Sequence, residues 1–239
     1  MSVLLLRLSG PMQAWGDSSR YNRRLTRHEP TKSGVVGLLA SALGRSREEA
    51  IDDLASLELA VRTDQSGELL RDFQTERSLD GKKTMPLTYR YYLADARFLV
   101  ALAGPDTLLE QLNSALKAPR WPLYLGRRSC PADTPILLGI HGEYNGVRQA
   151  VKQHEWLASD WYINKQKRRG VTELEVTADA HPGETYECQD DYPVTFSGQG
   201  RKYARRSVHR YRVPIPGFVE NDSSKHTPAT TAEHDPMFF

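Results

Sequence analysis

The segment VLLLRL at residues 3–8 is short and apolar, and Gly10-Pro11 ends it, which is the pattern of a buried β-strand. The segment TKSGVVGLLASALG at 31–44 follows, with apolar residues at helical spacing, Thr31 or Ser33 as its N-cap and Gly44 after its last turn. The pattern then repeats, because one long strand or a strand pair over 91–104 precedes an amphipathic helix over 107–117. This alternation decides the fold class.

The remaining patterns complete the order of elements. We expect a second helix at 47–57, strands at 58–64 and 135–144, and a protruding polar hairpin within 65–88. The resulting order predicts an α+β fold with a ferredoxin-like sheet and its helices on one side. We expect this domain to span residues 1–141, followed by a β-rich region over 142–216 and a flexible polar tail over 217–239.

Composition excludes several classes of protein. The chain has 239 residues, 39% of them hydrophobic, which suits one large domain or two small ones. The longest apolar run, at 34–43, is too short for a membrane helix, and no basic region precedes the first apolar run, so neither a membrane span nor a secretion signal is expected. Two cysteines are too few for a disulfide framework or a zinc site, which predicts reduced thiols, no metal or cofactor, and a cytoplasmic location.

The net charge of +2 hides a strong polarisation along the chain. Residues 7–32, 117–128, 165–169 and 201–212 contain 20 of the 32 basic residues and only two of the 30 acidic ones, so these segments carry +18 and the rest −16. Such clustering predicts a nucleic-acid binder in spite of the near-neutral total.

Two of these segments combine basic and aromatic residues. In the first, the helix N-terminus at Thr31, Lys32, Ser33 and Gly34 would hold phosphate, while Trp15 and Tyr21 would stack on bases. The alternative is a solvated basic loop with Trp15 packed in the core. In the second, Tyr124 lies close to Arg127 and Arg128 in PLYLGRRSCP at 122–131, which suits single-stranded RNA or else forms a proline-bent, solvated loop.

The other basic segments keep alternatives open. Strand VHRYRV at 208–213 has one basic face, which would bind RNA or protect a sheet edge. INKQKRRG at 163–170 is interpreted as a solvated basic turn, and an acidic stretch over 171–191 faces either a basic partner or water. A trio of His28, Tyr21 and Lys32 is the one candidate for metal-independent RNA cleavage.

Three motifs, LLLRLSGPMQAWG at 4–16, PTKSGVVGLLASALG at 30–44 and PLYLGRRSCP at 122–131, resemble the fifth CRISPR-associated (Cas) protein family, in the form found in the type I-E surveillance complex Cascade. That family belongs to the repeat-associated mysterious protein superfamily. The resemblance covers residues 3–141 and includes RDFQT at 71–75 and YLADARFLVAL at 92–102. It implies an RNA-recognition-like ferredoxin fold with a thumb hairpin at about residues 71–90.

The resemblance also implies a function. A type I-E member grips the 5′ handle of the CRISPR RNA without cutting it, caps the CasC backbone beside the large subunit CasA, and meets target DNA only through the complex. Type I-C relatives are endoribonucleases, so metal-independent processing of precursor RNA is the alternative function, and a purely protein-binding subunit is a third. The predicted RNA-binding residues are Gln13, Trp15, Tyr21, Arg23, Arg24, Thr31, Lys32, Ser33, Gly34, Tyr124, Arg127 and Arg128, with Lys82, Lys83 and Met85 in the thumb.

Overall fold

The computed structural model describes residues 2–16 and 22–217. Within them the strands are β1 (Val3–Gln13), β2 (Arg23–Arg24), β3 (Glu58–Gln65), β4 (Glu68–Gln74), β5 (Thr88–Ala103), β6 (Leu137–His141), β7 (Glu173–Asp179), β8 (Glu187–Thr195) and β9 (Lys202–Pro214). The helices are α1 (Lys32–Leu43), α2 (Asp52–Ala55), α3 (Asp106–Lys117), α4 (Val147–Gln153) and α5 (Asp160–Arg168). The predicted tail over 217–239 lies, except for Gly217, outside the described residues.

The strands form one sheet of order β6-β1-β5-β3-β7-β9-β8, and β2 and β4 also pair with β5. All pairings are antiparallel except that of the two-residue strand β2 with β5. Strands β1 and β5 pair over ten positions, from Val3–Ala103 to Gln13–Leu93. The prediction of a mixed α+β fold is therefore confirmed in its coarse form, as a large antiparallel sheet with helices packed on it.

The centre of the sheet is buried on both faces. Leu4, Leu6 and Leu8 of β1 point into a core with α1 and α3, whereas Val3 and Leu5 point into a second core with α4. Burial on both sides explains why residues 3–6 of β1 are continuously apolar instead of alternating. The expectation that the helices lie on one side is wrong for the whole sheet, because α4 covers the opposite face.

The region after residue 141 continues the same sheet. Strand β7 pairs with β3 from Ala60–Ala178 to Arg62–Val176, so the predicted domain boundary is not a boundary of the sheet. Most of the predicted turn at 163–170 is the second half of α5. Strand β9 pairs with β7 over residues 208–214 but with β8 only as far as Val208, so residues 209–213 lie at an edge of the sheet, as the edge-strand interpretation of 208–213 expects.

The predicted helix at 47–57 is reduced to the four residues of α2. The Ser46 N–H donates to Glu49 Oε1 at 2.6 Å, and both terminal nitrogens of Arg45 donate to Asp53. These bonds fold residues 45–50 into turns, because side chains take the hydrogen-bonding groups that a longer helix would use. No helix in the described residues has the length and hydropathy to cross a membrane.

Strand β4 and the first part of β5 form an antiparallel arm over residues 68–94, with Glu68 opposite Ala94 and Gln74 opposite Thr88. At its tip the Ser78 N–H donates to the Lys83 carbonyl at 2.9 Å, and the Met85 N–H donates to the Glu76 carbonyl at 2.7 Å. Large apolar side chains on this arm are exposed, including Phe73 and Leu79. Its interpretation as an RNA-reaching thumb stays a prediction.

Candidate nucleic-acid interface

The three sequence motifs meet at one place in the structure. The Ala14 N–H donates to the Leu125 carbonyl at 3.1 Å, which joins the end of β1 to the PLYLGRRSCP segment. The Arg27 N–H donates to the Trp15 carbonyl at 2.8 Å. The Trp15 ring lies against the first turn of α1, where a Cβ added at Gly34 would stand 2.8 Å from Trp15 Cε3.

Two glycines make this junction possible. At Gly34 a side chain would collide with the indole of Trp15. At Gly126 φ is +83°, and a Cβ would stand 1.8 Å from the Ala14 carbonyl oxygen. Residues other than glycine rarely adopt the positive φ found at Gly126. A Cβ has no room at either position, so both the KSG and the LGRR segments need glycine.

The junction forms one wall of a pocket of about 240 Å³. Trp15, Thr31, Ser33, Gly34 and Tyr124, all predicted site residues, line it. Four further lining residues come from segments that the sequence analysis did not assign to the site: Arg47, Phe196, Arg201 and Tyr203.

A hydrogen bond brings these distant segments together. The Gly198 N–H, in the turn between β8 and β9, donates to Glu48 Oε1 at 3.1 Å, which holds that turn beside the 45–50 segment. Arg47 and Arg201 are both exposed, and no carboxylate of residues 2–16 or 22–217 pairs with either. Their free guanidinium groups therefore give the pocket rim a positive charge.

The N-terminus of α1 is already occupied by the protein itself. Thr31 caps the helix, its Oγ1 accepting from the Gly34 N–H at 3.2 Å. The Lys32 N–H donates to Asp191 Oδ2 at 2.8 Å, and the Lys32 ammonium pairs with Asp179 at 2.9 Å. Lys32 is 5% exposed, so the exposed phosphate-binding lysine that the sequence suggested is not found.

A buried ion network extends from this point into the C-terminal strands. Arg206 of β9 donates to Asp191 at 2.8 and 2.7 Å and to Asp179 at 2.7 Å. Burial by itself would raise the pKa of Asp191, but the hydrogen bonds and charge of Arg206 outweigh it and hold the pKa below its ordinary value. The acidic stretch therefore faces the protein's own basic residues at these positions.

Gln13 and Trp15 are structural in the same way. The Gln13 amide donates to the carbonyls of Leu8 and Ala96 at 3.1 and 2.7 Å, and its oxygen accepts from the Trp15 indole at 3.1 Å. Trp15 is 1% exposed, so it offers no ring face to a base. The alternative interpretation, Trp15 packed in the core, is confirmed.

The remaining arginines form a separate surface, the arginine ledge: Arg23, Arg24, Arg127 and Arg128. Arg127 donates to the Arg24 carbonyl at 2.9 Å, and its guanidinium lies 4.7 Å from the Tyr92 ring centroid. Arg23, Arg24 and Arg128 are exposed. Lys82, Lys83 and Met85 are exposed at the arm tip, outside the pocket, and Tyr21 lies outside the described residues.

The proposed catalytic trio is not assembled in the described part of the chain. The Lys32 ammonium is engaged by Asp179, and His28 is exposed on a surface loop. Tyr21 again lies outside the described residues. Among the described residues no three His, Cys, Asp or Glu side chains are grouped as a metal site.

A family model described as "CRISPR-associated protein (Cas_Cas5)" matches residues 3–209, most of the chain. The chain belongs to this Cas5 family. The resemblance inferred from the three motifs is thus confirmed, and the match extends through β7 and β8 into β9. The Cas5 pocket therefore combines residues from nearly the full length of the family match.

Individual relatives agree with this assignment. The CRISPR system Cascade subunit CasD of Escherichia coli strain K12 is 37% identical over 182 aligned positions, covering 67% of this chain and 80% of that protein. A solved Cas protein structure superposes with a TM-score of 0.68 at 36% identity, covering 90% of this chain and 97% of that one. A structure of a CRISPR RNA-guided surveillance complex gives a TM-score of 0.72 at 29% identity, covering 90% and 91% of the two chains.

Proposed function

We propose that this chain is a non-catalytic CRISPR RNA-binding subunit of a type I-E Cascade complex. In this role it grips the 5′ handle of the guide RNA and caps the CasC backbone beside the large subunit CasA, reaching target DNA only through the assembled complex. The Cas5 family match, the CasD relative and the surveillance-complex neighbour support this role. We interpret strands β6-β1-β5-β3, with α1 and α3 on one face, as its ferredoxin-like domain.

The pocket at the meeting point of the three motifs carries the proposal. Tyr124, Phe196 and Tyr203 line it with aromatic rings that stack on bases of any sequence, and Arg47 and Arg201 supply charge for phosphates. At Gly37 a Cβ would meet nothing closer than Phe196 Cζ at 3.8 Å, so a nucleotide approaches the backbone of α1 closely at this position. Buried Gln13, Trp15, Thr31 and Lys32 shape the pocket and hold the helix start.

The exposed groups outside the pocket extend this surface in the proposal. The arginine ledge contacts the phosphates of the neighbouring nucleotides. Lys82, Lys83 and Met85, at the tip of the arm, reach the guide beside the first backbone subunit.

Charge reversal at Arg47 and Arg201 tests the pocket. Fluorescence anisotropy with a labelled 5′-handle RNA should show weaker binding by R47E/R201E, and the slope of log K against log salt should fall by about 0.7 for each lost phosphate contact. K152E is the matched control, because exposed Lys152 lies on α4, on the opposite face of the sheet. If R47E/R201E and K152E bind the labelled RNA with equal affinity, the pocket does not contact the 5′ handle.

Incubation of the purified chain with a repeat stem-loop in EDTA tests the absence of catalysis. We expect the RNA to remain intact. Cleavage that disappears in H28A would instead assign the chain to the endoribonucleases.

A further inference from the structure

Helix α5 presents an exposed tryptophan beside a group of basic residues. Trp161 is 52% exposed, and its ring meets that of Tyr162 edge-on at 5.6 Å between centroids. The Lys165 ammonium lies 5.5 Å from the Trp161 ring centroid, one helical turn further along. An exposed tryptophan with a lysine ammonium over one ring face brings an aromatic ring and a positive charge to one place, the two groups that single-strand binding surfaces combine.

The last turn of α5 adds charge that the protein does not neutralise. Lys165, Lys167 and Arg168 lie in this turn and Arg169 follows it. No carboxylate of residues 2–16 or 22–217 forms an ion pair with any of them. This differs from β9, where Arg206, Arg210 and Arg212 pair with Asp191, Glu187 and Glu175 of the neighbouring strands.

The helix is held firmly at the root of the arm. Gln65 accepts hydrogen bonds from the Ser159 N–H and hydroxyl at 3.2 and 2.8 Å, and its amide donates to the Asp95 carbonyl at 2.6 Å. Tyr162 Oη lies 3.4 Å from Ser66 Oγ. A platform fixed at its first turn loses little entropy when a ligand stacks on it.

We propose that Trp161 and the basic end of α5 form a second binding surface, for single-stranded nucleic acid. One base stacks on Trp161, and the adjoining phosphates lie along Lys165, Arg168 and Arg169, which follow Trp161 at the spacing of one helix face. Trp161, Lys165 and Arg169 also line the hollow between α5 and the arm. Glu68 and Asp95 line it too, so the strand follows the helix side and stays clear of these two carboxylates. The shared chemistry fits either RNA or a DNA single strand.

This surface is separate from the pocket at the N-terminus of α1. No residue lines both hollows. Trp156 and Val171, which flank α5, pack in the second core, on the face of the sheet opposite α1. Loss of 5′-handle binding at the pocket would therefore leave single-strand binding at α5 unchanged.

The test uses the full-length chain carrying R47E/R201E, so that the pocket does not contribute. Anisotropy is measured with labelled 20-mers of uridine and of thymidine, and with a blunt duplex. We expect residual binding to the single strands, weakened about 5- to 150-fold by W161A and partly retained by W161F. Y186A is the control, because Tyr186 is also exposed but lies between Glu184 and Glu187.

A lower salt slope in K165A/K167A/R168A/R169A would support phosphate contact. Tighter binding of uridine or of thymidine would identify the strand as RNA or DNA. Single-strand affinity unchanged by W161A and by the quadruple variant would overturn the proposal. So would normal oligonucleotide binding by these variants with failed assembly into the complex, since α5 would then contact protein.

Discussion

Removing the charge of Asp191 should destabilise the protein far more than the same change one residue earlier. Asp191 is fully buried, bound twice by Arg206 and once by the Lys32 N–H. Asp190 is 67% exposed and pairs at 3.3 Å with Arg205, itself 79% exposed. D191N and D190N thus make the same chemical change to a buried and an exposed ion pair.

The expected magnitude follows from what each change leaves behind. Breaking a buried pair by removing one partner costs about 3–5 kcal/mol. Arg206 keeps its bond to Asp179, and asparagine keeps one acceptor oxygen, so we expect about 3 kcal/mol for D191N. A chain of this length would lose about 6–12 °C in Tm. D190N should cost less than about 1 kcal/mol, because exposed pairs contribute little.

Urea unfolding at several pH values measures both effects. The native environment lowers the pKa of Asp191, so its stabilising contribution is present above the pKa of the unfolded state and is lost as pH falls through the folded-state pKa. The difference between wild type and D191N should therefore narrow below about pH 4. A D191N free energy of unfolding within 1 kcal/mol of D190N, or a gap that does not change in acid, would refute the reasoning.

Two further changes test the packing of the site and a half-buried histidine. G126A should lower the free energy of unfolding in urea by about 3 kcal/mol, because φ is positive at this position and the Ala14 carbonyl fills the space. Gly142 has open space around it, so G142A should change the free energy of unfolding by less than about 1 kcal/mol. Similar values for the two variants would contradict the close approach at Gly126. Burial and the charge of Arg62 lower the pKa of His154, so the unfolded state takes up a proton that the folded state refuses as pH falls below about 6.5. Stability should fall as pH decreases from about 7.5 to about 5.5. H154Q should flatten this curve, whereas G142A changes no titratable group and should leave the shape of the curve as in wild type. An equally steep curve for H154Q would rule out His154 as its source.

Local patterns in the sequence were sufficient for the elements of the first core. Strand β1, helix α1, strand β5 and helix α3 were all predicted, because a buried strand or an amphipathic helix is encoded within a dozen neighbouring residues. Helix α5 and the shortening of α2 were missed because neighbouring residues do not encode them clearly. Residues 160–168 form a helix with only one buried side chain, so their apolar periodicity is weak, and side-chain bonds at 45–53 replace the helix expected there.

The ion pairs of the charged residues could not be predicted from local patterns. Segment counts predicted basic surfaces, but Asp191 and Asp179 lie 159 and 147 positions from Lys32 and close on it only when β7, β8 and β9 complete the sheet. The same long-range pairing removes Arg206 from the surface and leaves Arg47 and Arg201 free at the pocket rim.

The sequence by itself therefore determined the family, the first core and the three motifs that meet around Trp15. Only the tertiary structure decided which of their residues face solvent. The physical reason is that periodicity is a property of neighbouring residues, whereas desolvation and ion pairing depend on partners that folding brings from the far end of the chain.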